Sequence, residues 1–217
     1  MGGSAGAEGK IADTHREILL VCRLLWERGL IAGGDGNVSV RLSDGNILVT
    51  PAGMAKRECL DEDLVVLAPD GTRLSGARSP STETGVHLRI YLRRADVFAV
   101  VHAHPPVATG FALAGETLPA DALPEIAVGI GAVPLIHYET PGTPALADAI
   151  EPHLHGHQAF LLANHGAVTV GGSLGVAYGR MESLEHAARI VLTARLLGRV
   201  NALSPHQLEA LLGARPR

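Results

Sequence analysis

Two histidines stand one residue apart in "FAVVHAHPPVATG", and in an extended strand such positions project to the same side. His102 and His104 therefore aim two imidazoles at one locus, where an apolar run ends before Pro105 and Pro106. Imidazole is the commonest neutral side-chain ligand for zinc and its neighbours in the transition series. A pair is not yet a site, and two stretches could supply a third ligand. "HLHGHQ" offers His153, His155 and His157, but it is a polar link containing Gly156 ahead of an apolar run, and it reads as a solvated connector. "FLLANHGAVTV" offers His165 inside a run that is otherwise apolar. A polar group there is costly to bury unless it is satisfied. Either His165 bonds a backbone carbonyl, or Gly166 lets the chain approach closely while His165 completes a three-histidine site. Three histidines leave zinc an open position, the usual catalytic arrangement.

Glu83, in "SPSTETGVHLRIYLRR", is the nearest candidate for a base. The same carboxylate near a helix start also suits the helix dipole, and His87 follows it at i+4 as a structural partner. "GGDGN" is a glycine-rich loop of the kind whose backbone N–H groups cradle phosphates, although no Walker lysine follows it. "TPAG" and "SPST" are turn-like clusters without a signal of their own.

The elements that must position these residues follow from periodicity. Residues 1–10 read as a flexible tail and 11–217 as one domain. Apolar residues from Ala12 to Arg28 recur at three- and four-residue spacing, an amphipathic helix closed by Gly29. "NVSVRL", the turn "SDGN" and "ILVT" make a hairpin, and "LVVLA" followed by "PDGT" repeats the pattern. Ser81 or Thr82 caps a helix that begins beside Glu83. "VFAVVHAH" is a buried strand, and the two prolines after it open a helix. A short strand at Leu135–Tyr138, a helix at "TPALADAI", a strand "AFLLANHGAVTV" interrupted by its polar triplet, a long helix over 174–198 and a short last one complete the chain. Hairpins first and alternation later predict one α/β domain with a mixed sheet covered by helices on both faces.

Bulk properties exclude several classes. The net charge is −4 with basic residues scattered singly, so a nucleic-acid surface is not expected. Hydrophobic residues make up 47% but aromatic ones only 3%, so the core must be filled by small aliphatic side chains. Cys22 and Cys59 lack metal-type spacing and imply no disulfide framework. No run is long and apolar enough to span a bilayer. A cytoplasmic protein without membrane or nucleic-acid partners is the expectation.

In order, "GLIAGGDGNVSVR", "ILVTPAGM", "SPSTETGVHLRIYLRRADVFAVVHAHP" and "LLANHGAVTVGGSLGVAY" resemble the successive motifs of the class II aldolase/adducin family, over residues 12 to 200. The resemblance implies a largely antiparallel mixed sheet between helix layers, and C4 homotetramers with active sites at subunit interfaces. It implies a divalent metal, zinc first and manganese or cobalt as alternatives, on His102, His104 and His165, with Glu83 as the catalytic base. Gly36, Asn37, Gly53, Ser81 and Thr82 match the positions that bind the substrate phosphate. The implied activity is that of a class II aldehyde-lyase. It would cleave a small ketose 1-phosphate, such as fuculose 1-phosphate or 5-deoxyribulose 1-phosphate, to dihydroxyacetone phosphate and an aldehyde through a metal-stabilised enediolate. Relatives in the family act instead as 4-epimerases, methylthioribulose-1-phosphate dehydratases, decarboxylases of 3-oxo-acid phosphates or non-catalytic scaffolds. Three departures stand out. Ala52 replaces a hydroxyl residue of the phosphate turn. Leu123 stands where the family's aldolases have a proton-donating tyrosine, leaving Glu125 or water as a replacement. The C-terminal stretch "SPHQLEALLGARPR" lacks a further tyrosine.

Overall fold

The central strands are buried at every position, so both faces of the sheet must be covered. The computed structural model describes residues 4–214, with side chains from Ala12 onward. Eight strands form one sheet: β1 (Asn37–Arg41), β2 (Ile47–Val49), β3 (Val65–Leu67), β4 (Arg73–Ser75), β5 (Ala99–Ala103), β6 (Leu135–Ile136), β7 (Ala159–Leu162) and β8 (Gly166–Gly171). Their order is β4-β3-β2-β1-β5-β8-β7-β6, with every pairing antiparallel except β6 with β7. The helices are α1 (Ser4–Glu27), α2 (Thr84–Arg93), α3 (Pro106–Leu113), α4 (Pro124–Gly129), α5 (Pro144–Ile150), α6 (Leu174–Leu197) and α7 (Pro205–Gly213).

Two cores lie on opposite faces of the sheet. Val38, Leu48, Ala99, Val101, Ala103, Leu161 and Ala167 pack with α1, α3, α4 and α6. Val49, Val65, Val100, Phe160, Val168 and Val170 pack with α2 and α5. The expected α/β sandwich of helices around a largely antiparallel sheet is what the chain adopts. Period-two geometry then puts Asn37, Ser39 and His102 on the α2 face, and Asn37 stands directly opposite His102 across β1 and β5. Both cysteines are buried, and burial pushes the Cys22 thiol up to about 12 and that of Cys59 up to about 11, so neither is a reactive thiolate. No helix among the described residues is long and apolar enough to cross a membrane.

Three expectations need correction. The first helix was expected from Ala12, yet it runs from Ser4, and residues 1–3 of the expected tail lie outside the described residues. Ala5, Ala7, Glu8 and Lys10 are good helix formers, and extending a nucleated helix costs less than starting one. "AFLLANHGAVTV" is two strands, not one: Ala163, Asn164 and His165 form a tight turn, and β7 and β8 pair across it with Leu162 opposite Gly166. Asn164 takes the left-handed conformation at φ 57°, which asparagine tolerates better than most residues. Finally, α2 is not capped by Ser81 or Thr82. Glu83 itself occupies the N-cap position without capping, because its carboxylate is drawn to other partners.

Candidate metal centre and substrate cavity

Three imidazoles from two parts of the chain meet at the end of β5. His102 lies in β5, His104 just beyond it, and His165 closes the β7–β8 turn. One ligand nitrogen from each lies within 4.8 Å of the other two, and no other such group of histidine, cysteine or acidic ligands is found among the described residues. The three rings stand edge-on to one another, with centroids 4.8 to 5.2 Å apart. His153, His155 and His157 do not join them. They sit in the link between α5 and β7, where His157 Nδ1 contacts the His153 carbonyl at 2.9 Å.

Two glycines make this approach possible. A Cβ on Gly166 would lie 2.6 Å from both the Ala103 carbonyl oxygen and His104 Cδ2. A Cβ on Gly36 would lie 2.8 Å from the His102 carbonyl oxygen and 2.7 Å from Ile31. The strand carrying the first two histidines is thus gripped on both sides by backbone that no side chain can thicken.

The donor set suits a divalent cation. His102 Nδ1 lies 2.9 Å from the Ala167 carbonyl, which can only accept, so that nitrogen carries the proton. In the neutral ring the Nε2 lone pair then points inward, 3.3 Å from His104 Nε2 and 2.9 Å from Glu83 Oε2. Glu83 Oε1 lies 2.9 Å from His165 Nε2. Lone pairs and a carboxylate that converge this closely repel one another unless protons or a metal cation sit between them. Burial comes first in holding His104 down to about 4, and the charge of His102 adds to it against the pull of Asp35. His104 is therefore a neutral ligand at neutral pH. Asp35 Oδ2, 3.4 Å from His104 Nδ1, approaches from behind, as carboxylates do behind metal-ligating histidines.

Glu83 is turned away from the helix it precedes. Asn37 Nδ2 donates to its Oε2 at 3.0 Å. Burial pushes the carboxyl up, but hydrogen bonds to His102 and His165 and their charge outweigh burial and hold it well below the usual carboxylate range. His87, one turn along α2, pairs with Ser39 Oγ at 2.6 Å rather than with Glu83. Ser39 in turn meets the Tyr91 hydroxyl at 2.8 Å.

Beside the histidines opens a cavity of about 220 Å³, and Gly36, Asn37, Gly53, Ser81 and Thr82 all line it together with Glu83, His104 and His165. The five positions expected to hold the phosphate are thus gathered beside Glu83, His104 and His165. Leu123 and Glu125 are not: Leu123 packs against the α1–α6 core and Glu125 is exposed on α4. Sequence reading missed Asp35, Lys56 and Glu185. Asp35 and Lys56 also line the cavity. Glu185, 3% exposed on α6, accepts from the N–H groups of Val107 and Ala108 and so anchors the first turn of α3 immediately after His104. Its spacing of four from Met181 and three from Ala188, which puts a carboxylate on the apolar face of α6, was the available signal.

The chain belongs to the class II aldolase/adducin family: residues 16–192 match the family described as "Class II Aldolase and Adducin N-terminal domain". Within it, the chain is 36% identical to 3-oxo-tetronate 4-phosphate decarboxylase of Haemophilus influenzae over 175 residues, covering 79% of this chain and 83% of that protein. It is 34% identical to 5-deoxy-D-ribulose 1-phosphate aldolase of Bacillus thuringiensis serovar kurstaki over 198 residues, 91% of this chain and 92% of that one. A solved L-fuculose 1-phosphate aldolase superposes with a TM-score of 0.87 at 33% identity, covering 93% of this chain and 95% of that structure. Membership supports a lyase of the metal-dependent aldolase type acting on a phosphorylated sugar, with His102, His104 and His165 able to hold the metal.

Proposed function

We propose that the protein is an aldolase that cleaves a small ketose 1-phosphate to dihydroxyacetone phosphate and an aldehyde. The observation that supports this reading is one carboxylate, Glu83, within 2.9 Å of two of three converging imidazoles at the mouth of the glycine- and hydroxyl-lined cavity. A zinc ion on His102, His104 and His165, or manganese or cobalt in its place, supplies Lewis acidity toward substrate oxygens that gain negative charge. The rest falls to the chain. The loops at Gly36–Asn37 and Gly53 and the hydroxyls of Ser81 and Thr82 hold the phosphate and fix the reacting carbons, a contribution of position rather than proton transfer. Cleavage breaks the C3–C4 bond as the C4 hydroxyl loses its proton, leaving the electron pair on the three-carbon fragment. The proton released from the C4 hydroxyl passes on to Glu83, which delivers it to C3, and in the synthetic direction Glu83 removes it from the hydroxymethyl group of dihydroxyacetone phosphate. Asn37 holds the Glu83 carboxylate in place for both. Leu123 cannot take the C4 proton, and we assign that step to water or to a group from a neighbouring subunit of a homotetramer.

A second reading, decarboxylation of a 3-oxo acid phosphate, is favoured by the 36% identity to a 3-oxo-tetronate 4-phosphate decarboxylase. Both reactions break a carbon–carbon bond next to a ketone and draw on the same electron sink. The metal-restored protein should therefore be offered 5-deoxyribulose 1-phosphate, fuculose 1-phosphate and 3-oxo-tetronate 4-phosphate. Dihydroxyacetone phosphate released from either ketose 1-phosphate, followed by a coupled reductase assay and lost in His165→Ala, supports the aldolase, whereas the third compound gives the same triose phosphate by loss of carbon dioxide. Carbon dioxide from the third compound alone transfers the assignment to the decarboxylase.

A further inference from the structure

Lys56 sits where a lysine is costly to keep. It is 3% exposed, and taking an ammonium out of water disfavours its charged form. Burial accordingly lowers its pKa, against the opposing pull of Cys22, Cys59 and Asp35. Among the described residues it makes no salt bridge. Instead Nζ donates to the carbonyl of Gly34 at 3.1 Å and to that of Met54 at 2.9 Å. Those carbonyls belong to two different loops, residues 33–36 and 51–54, which abut: a Cβ on Gly34 would be 3.7 Å from the Met54 oxygen. An ammonium has three donors, and the two carbonyls account for two of them.

The cavity opens between these same loops, and Lys56 forms part of its wall. In that wall Asp35 and Glu83 are carboxylates, while Lys56 is the sole lysine or arginine. Backbone N–H groups of glycine turns receive an anion well, but a phosphate dianion here also meets two like charges. In a recess partly screened from water, one fixed cation has a large effect on that balance.

Resting on the reading that these loops hold the substrate phosphate, we propose that Lys56 is a further anion-binding residue of the site. Its ammonium ties the 33–36 loop to the 51–54 turn and directs its remaining N–H at the phosphate group. The test is calorimetric titration of inorganic phosphate into the metal-loaded protein and into its Lys56→Met and Lys56→Arg variants, with metal content and melting temperature measured alongside. The expected result is binding to the unaltered protein, a loss of about tenfold or more in Lys56→Met, and recovery of most of it in Lys56→Arg. Equal affinity in Lys56→Met overturns the proposal, and so does an equal loss in both variants, which would mark Lys56 as a brace alone. Should Lys56→Met fail to fold, the lysine ammonium resonances of the unaltered protein decide. The Lys56 signal, assigned with Lys56→Arg, must shift on adding phosphate, and an unmoved signal overturns the proposal. Because phosphate is the probe, the outcome is separable from the reaction: a protein that binds phosphate through Lys56 yet cleaves no ketose 1-phosphate keeps the anion site and loses the aldolase.

Discussion

His87 is the residue through which acid reaches the fold. It is 1% exposed and held by Ser39. Burial, and next the charge of His102, bring its pKa from 6.5 down to about 3, with Glu83 opposing. In the unfolded chain the same imidazole takes a proton near 6.5, so between those values the unfolded state binds more protons than the folded one. Stability must therefore fall as pH drops through that window. His87→Gln keeps an acceptor for Ser39 but carries no titratable ring, and its melting temperature should decline less steeply with acid than that of the unaltered protein. Parallel profiles would remove His87 from the account. Single residues differ in how plainly the sequence announces them. His102 and His104 declare themselves by spacing, and His165 by interrupting an apolar run. Lys56 does not, since "AKRE" reads as ordinary surface charge and nothing local says that the first of these charged residues turns inward.

At the scale of elements, the site depends on how closely strands and loops can approach. Gly166 begins β8 against the end of β5, and Gly36 meets the same segment from the other side. Gly166→Ala must push the Ala103 carbonyl or the His104 ring aside. We expect a destabilisation of about 1–3 kcal/mol, the range for overpacking a tight interior, and loss of stoichiometric metal while the far-ultraviolet dichroism of the sheet and helices is retained. Full metal content in this variant would show that the site has slack it should not have. Most elements were legible because period and turn chemistry agree, as in the hairpin of β1 and β2 around "SDGN". The β7–β8 turn was not, because the apolar runs on either side of Asn164 are continuous with one another. The one local clue was an asparagine able to take a left-handed conformation. The cap of α2 was misread for a related reason: propensity weighs Ser81 and Thr82 against the helix, while long-range partners from β1, β5 and the β7–β8 turn decide where Glu83 points.

For the whole molecule, a ligand bound to the folded chain alone stabilises it by mass action. At free metal a thousandfold above its dissociation constant the gain is about 4 kcal/mol. Stripping the metal with a chelator should therefore lower the melting temperature of the unaltered protein by several degrees, and of His165→Ala by much less. Identical shifts in the two would mean that metal is held elsewhere. The layered arrangement itself was readable from the near-continuous apolar character of β5, β7 and β8, which are buried on both faces, whereas exposed β4 at the edge carries too little pattern to be read.

β5 lies between a strand from early in the chain and one from late in it, bonded to β1 on one flank and β8 on the other. During synthesis the first two imidazoles emerge long before the third, and until the β7–β8 turn has left the ribosome there is no enclosure to retain a cation. A growing chain therefore presents only two of the three imidazoles, and a cation held by all three would be retained only by the finished protein.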